Sequence, residues 1–135
     1  MSRIVAAALL LVAAACALPM VTGASHLETP LPGSLPLGNL LTVAVLCATA
    51  GASVALGPPD TRLRTVAQLS LLAAVVWLPL SIALACNLAL NFTGWRGTAW
   101  LVASLAIVVV VLATLAWALL ANLAATLRGL RLRHR

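Results

Sequence analysis

The sequence contains no lysine, and only two carboxylates, Glu28 and Asp60, stand against eight arginines. Charge of any kind is missing from four long stretches: Ile4–Leu27, Thr29–Pro59, Thr65–Trp95 and Gly97–Leu127. A water-soluble helical bundle needs a polar face on every helix, so these stretches exclude that class. Proton relays, ion-coupled exchange and voltage sensing all use ionisable groups inside the membrane, and none lies at that depth here. Paired carboxylates for general acid–base work are missing too, because Glu28 and Asp60 fall on opposite sides of the inferred membrane. Cys16, Cys47 and Cys86 are odd in number and lack C-x-x-C spacing, which argues against a redox pair or a disulfide framework. They read as small apolar residues in helices. His26 and Glu28 are the only pair with metal or acid–base potential on their side, and two ligands are too few for a closed metal site. We therefore expect no enzyme, no cofactor and no metal.

What is present points to hydrocarbon. The chain of 135 residues is 64% hydrophobic and 7% charged, with a mean hydropathy of +1.16. A charge at mid-bilayer costs about 2.5–3.5 kcal/mol even on the mildest scale, which explains why every charge sits outside the apolar stretches. The expected fold class is all-α, an integral membrane four-helix bundle with both termini cytoplasmic. Spans are expected near residues 4–21, 37–56, 66–88 and 98–120, followed by a basic amphipathic tail over 121–135. Four spans of about 20 residues use most of the chain, so residues 1–135 form a single transmembrane domain. Pro30, Pro32, Pro36, Gly33 and Gly38 break the chain between the first two spans. Gly57-Pro58-Pro59-Asp60 and Asn91-Phe92-Thr93-Gly94 make the other two breaks. A signal peptide is the rival for the first span, with Thr22-Gly23-Ala24 resembling a cleavage site; but Ile4–Val21 is longer than a signal's apolar core.

Orientation follows from arginine placement. Arg3, Arg62, Arg64 and the tail arginines fall on one side, and Arg96 alone on the other. Trp95 and Trp100 are expected at the outer interface and Trp117 near the inner one. Exclusive use of Arg suggests a GC-rich genome and hence a bacterial inner membrane, where the sequon Asn91-Phe92-Thr93 is a coincidence. The basic charge is placed by topology, with no interleaved aromatics, so no nucleic acid is expected as partner.

Between lipid-dissolved helices, association needs small residues and polar side chains. Ala6, Leu10, Ala13 and Ala17 share one side of span one. Span two carries Ala44, Ala48, Gly51 and Ala55 as a small-residue stripe, and Asn39, Thr42, Thr49 and Ser53 on the other side. Both sides look like contact faces, which suggests a neighbour beyond this chain. Span three places Ser70, Ala74, Trp77, Ser81, Leu84 and Leu88 on one stripe, with Pro79 in its centre as an expected kink. Trp77 near mid-membrane is expected to fill space against spans two and four; the rival reading has it line a cavity with its indole N–H bound to a partner helix. In span four, Ala99, Ala103, Ala106, Ala113, Trp117 and Ala121 are expected inside, and Leu101, Leu105, Val108, Leu112, Leu115 and Leu119 toward lipid.

If span four continues as helix, Leu120, Leu123, Leu127 and Leu130 line one stripe of the tail. Arg128, Arg131, Arg133 and Arg135 then reach anionic lipid headgroups. The functional expectation is a non-catalytic accessory or assembly subunit of a larger inner-membrane protein complex. Its expected contacts with other membrane subunits are span two and the outer loop around His26 and Glu28. Two alternatives stay open: a small homo-oligomeric transporter or channel with an uncharged pathway through Thr42, Thr49, Ser53, Ser70, Ser81 and Trp77, and a membrane-resident immunity or regulatory protein.

Overall fold

In the computed structural model the chain forms α1 (Ser2–Val21), β1 (Pro30–Leu31), β2 (Leu35–Pro36), α2 (Leu37–Leu56), α3 (Arg62–Ala85) and α4 (Gly94–Arg133). The structure describes residues 2–23, 30–31, 35–59, 61–85 and 94–133. Apart from the two-rung antiparallel ladder that pairs Pro30 with Pro36 and Leu31 with Leu35, the fold is all-α. All four helices are long and apolar enough to cross a membrane.

Local chemistry sets the helix ends. Gly23 takes a φ of +68°, a left-handed conformation that costs glycine little, just past the end of α1. The Gly57 N–H bonds the Ser53 carbonyl at 2.9 Å and closes α2. A Cβ on Gly57 would stand 3.3 Å from the Arg64 Cα, so a side chain there would need the α2–α3 turn to give by a few tenths of an ångström. Thr61 caps α3, its Oγ1 accepting from the Arg64 N–H at 3.3 Å. This cap explains why α3 starts a turn before the expected span. Pro79 sits on the exposed side of α3, which runs as helix through it.

Three polar contacts set how the helix ends meet. Arg3 at the start of α1 donates to Thr126 Oγ1 late in α4 at 3.4 Å. Asn122 Nδ2 donates to the Leu56 carbonyl, the last of α2, at 3.0 Å. Arg96 donates to the Ala83 carbonyl near the end of α3 at 3.2 Å. The start of α1, the end of α2, the start of α3 and the late part of α4 therefore share one end of the bundle, where Arg3, Arg62, Arg64 and Arg128 stand. Arg96 occupies the opposite end.

Helix α2 is the hub, meeting α1, α3 and α4. Ala48 on its small-residue stripe is buried, and Asn39, Thr49 and Ser53 on the opposite side are buried as well. Both faces thus meet other helices of this chain, with Thr42, Ala44, Gly51 and Ala55 half-buried. The reason is topological: a helix wedged between α1 on one side and α3 with α4 on the other needs two contact faces. On α1, Ala6 and Ala13 are buried while Ile4, Leu11, Leu18 and Val21 are exposed. Gly51 lets α1 close on α2, since a Cβ there would meet Leu9 Cδ1 at 3.3 Å. The neighbour is the tip of a flexible side chain, and alanine gains about 1 kcal/mol of helix propensity over glycine. Gly51→Ala should therefore shift the unfolding free energy in detergent by less than about 1 kcal/mol, since the contact strain and the propensity gain oppose each other.

Helix α4 is rotated from the expected setting. Its inward stripe runs Gly97, Trp100, Ser104, Ile107, Val111, Thr114, Ala118 and Asn122, while Ala106, Ala113 and Trp117 are exposed. Val108 and Leu115, expected toward lipid, are half-buried. Side-chain size alone pointed to the alanines, but the hydrogen-bonding groups decide which side turns inward.

Candidate functional site

The interior is organised around a reciprocal exchange between α3 and α4. Trp77 Nε1 on α3 donates to Ser104 Oγ on α4 at 3.0 Å. Trp100 Nε1 on α4 donates to Ser81 Oγ on α3 at 2.9 Å. Each tryptophan lies four residues before a serine in its own helix, and the helices run antiparallel. Each indole therefore faces the other helix's hydroxyl, one turn apart. Trp77 is 2% exposed and Trp100 6%. Trp100 is therefore an internal residue and not part of an outer aromatic belt, whereas Trp95 at 75% and Trp117 at 48% exposure do face outward. An apolar cluster of Leu46, Ala50, Ala74 and Val111 surrounds the two indoles.

The remaining interior hydroxyls bond their own helices. Thr42 Oγ1 donates to the Gly38 carbonyl at 2.8 Å, Thr49 to Val45 at 2.7 Å and Ser53 to Thr49 at 3.1 Å. Ser70 donates to Ala67 at 2.9 Å and Thr114 to Val110 at 2.7 Å. Such back-bonding satisfies a hydroxyl in a medium without water. Asn39 differs. It has no exposed surface, and neither its Nδ2 nor its Oδ1 has a hydrogen-bond partner.

At the helix ends, side chains take the carbonyls that a helix leaves unbonded. Asn122 Nδ2 serves Leu56 at the end of α2 while also donating to its own Ala118 carbonyl at 2.8 Å. The Arg96 guanidinium serves Ala83 near the end of α3, where positive charge also complements the helix dipole. The one arginine at that end is thus held by a carbonyl.

Several recesses flank the bundle among the described residues. One, of about 320 Å3, is apolar and lies between α1, α2 and α4 beside Met20, Thr42, Thr49 and Val111. Another, of about 420 Å3, lies between α1 and α3 over α2 at the arginine-bearing end, and Arg64 lines it. A third, of about 310 Å3, is lined by Thr61, Arg64, Thr65 and Gln68.

Of the residues singled out in the sequence, Ala48, Thr49, Ser53 and Trp77 are buried between helices, and Thr42, Ala44, Gly51 and Ala55 are half-buried. Thr42 and Thr49 share the apolar recess between α1, α2 and α4, while Ser53, Ser70 and Ser81 are buried in helix contacts. In the tail, α4 stays helical through Arg133, with Leu120, Leu123, Leu127, Leu130 and Arg128 exposed. Beyond Asn122 it runs on for about 16 Å of helix. The side chains of Arg131 and Arg133 lie outside the described residues, as do Arg135, His26, Glu28, Asp60, Cys86 and the Asn91-Phe92-Thr93 segment. Among the described residues no three His, Cys, Asp or Glu side chains come together.

Sequence reasoning missed Ser104, Trp100 and Asn122 as interior contacts. A usable signal was present for the first two, since Trp-x-x-x-Ser occurs once in each of two adjacent apolar helices. Asn122 stood out only as a lone amide just past the expected end of span four. Comparison of the chain with family models, curated proteins and solved structures finds no match to any of them.

Proposed function

We propose that the chain is a non-catalytic accessory or assembly subunit of a larger inner-membrane protein complex, with both termini in the cytoplasm. The observation that carries this reading is how the interior polar groups are used. Apart from the Asn39 amide, the buried polar groups are engaged within this chain, both internal indoles joining α3 to α4 through Ser104 and Ser81 and the other hydroxyls bonding carbonyls of their own helices. Little polar surface is left to bind a substrate or to form a water-filled path. Partner contacts fall instead to the exposed apolar sides of α1 and α4, to the loop bearing His26 and Glu28, and to the helical tail beyond Asn122. The cytoplasmic setting of the termini rests on the arginines gathered at one end of the bundle and on Arg96 being held by the Ala83 carbonyl at the other.

The test is purification of a tagged chain from its native membrane in mild detergent. Foreign subunits in fixed stoichiometry are expected. A homo-oligomer alone would favour a transporter whose path lies between protomers, and a lone monomer would remove the accessory reading.

A further inference from the structure

We propose that the groove between α1 and α3 at the arginine-bearing end seats one anionic phospholipid, its phosphate against Arg64 and an acyl chain over the small residues of α2. The groove, about 420 Å3, is walled by Ser2 and Val5 from α1 and by Arg64 and Leu71 from α3. Its floor is Gly51, Val54 and Ala55 of α2. Polar groups thus stand at its rim and apolar ones within, which matches a lipid and not a free anion. Arg64 also lines the neighbouring recess with Thr61, Thr65 and Gln68, where hydroxyl and amide groups suit the rest of a headgroup.

Charge selects the kind of lipid. Arg64 uses its backbone N–H on Thr61 Oγ1, and its guanidinium has no hydrogen-bond or ion-pair partner among the described residues. Arg3 and Arg96 differ, because each is held by Thr126 or Ala83. Arg64 is also half-buried against the groove, whereas Arg62 and Arg128 are exposed. Four arginines, Arg3, Arg62, Arg64 and Arg128, stand at this end of the bundle, and in the sequence Asp60 alone opposes them between α2 and α3, so the balance of charge there is positive. A guanidinium presents a planar fork that fits phosphate, and its aliphatic stem tolerates the apolar wall. This assignment is separate from the tail arginines, which meet the lipid surface at large, and it does not depend on what complex the chain joins.

The test uses the full chain, purified in detergent and exchanged into mixed micelles of phosphatidylglycerol and phosphatidylcholine, with retained lipid read by native mass spectrometry. One phosphatidylglycerol per chain is expected to be retained over phosphatidylcholine. Arg64→Gln should lower that retention roughly five-fold, the ratio expected for one arginine at an anionic surface. Ala55→Leu, which fills the floor, should lower it as well. Arg64→Lys should keep most of it and shows that the fold tolerates change at this position. An Arg128→Gln/Arg131→Gln chain should retain phosphatidylglycerol as the parent does. Unchanged retention in Arg64→Gln would overturn the proposal. So would equal loss in the tail variant, or displacement of the lipid by millimolar inorganic phosphate.

Discussion

Trp77→Ala should cost about 3 kcal/mol of unfolding free energy in detergent, the low end of the range for removing a buried Trp side chain. The low end applies because lipid is as apolar as the core, so little transfer energy is lost, while the cavity and the missing van der Waals contacts remain. The effect is large because Trp77 is the bulkiest of the fully buried side chains and touches the seam where α2, α3 and α4 meet. Trp77→Phe keeps a six-membered ring but removes the pyrrole half of the indole with its N–H to Ser104, so it should cost the hydrogen bond, about 0.6–1.7 kcal/mol as for other interhelical bonds in membranes, plus a cavity cost smaller than that of Trp77→Ala. In a cycle with Ser104→Ala the two changes should not add, since either one removes the same bond. A loss below about 1 kcal/mol for Trp77→Ala would mean that the indole faces lipid and that α3 and α4 pack in another register.

Asn39→Ala should raise stability by about 1 kcal/mol. A buried amide without partners carries an unrecovered desolvation cost of about 1–3 kcal/mol, which its removal relieves. Alanine also has the higher helix propensity. The small void left by the shorter side chain subtracts from the gain. Reversible unfolding in detergent, compared with the parent chain, reads the sign directly. A rise would mark Asn39 as a polar group retained in an apolar interior for a reason other than stability, the kind of local conflict that collects at functional positions. A fall of more than about 1 kcal/mol would mean that the amide is bonded in the folded protein, and the orphan assignment would be wrong.

These two residues also show how far the sequence could be read. Trp77 was legible as a member of an inward stripe with Ser70, Ala74 and Ser81, because a serine, an alanine and a tryptophan at helical spacing share a face whatever lies opposite. Its partner was not legible, because Ser104 lies in another helix and only the antiparallel setting brings it opposite. Helix α2 taught the converse. Its small and its polar side both carry residues that meet other helices of this chain, and a central helix in a chain of four requires two such faces, so their number alone does not signal a neighbour. In α4 the alanines were a poor guide. Alanine is equally at home facing lipid or facing a helix, so Ala106 and Ala113 carried little orientation signal beside Trp100, Ser104, Thr114 and Asn122.

The amino-acid sequence by itself determined the solvent this chain suits and the number and rough limits of its helices. The cost of charge in hydrocarbon and the breaking action of Pro and Gly act locally, residue by residue. Only the tertiary structure decided which helix is central, which side of α4 turns inward, and which polar groups find partners. Those outcomes depend on pairs of residues distant in sequence, Trp77 with Ser104, Trp100 with Ser81 and Leu56 with Asn122. In lipid, where apolar side chains have no reason to prefer one another, such pairs and the closeness of small residues set the arrangement.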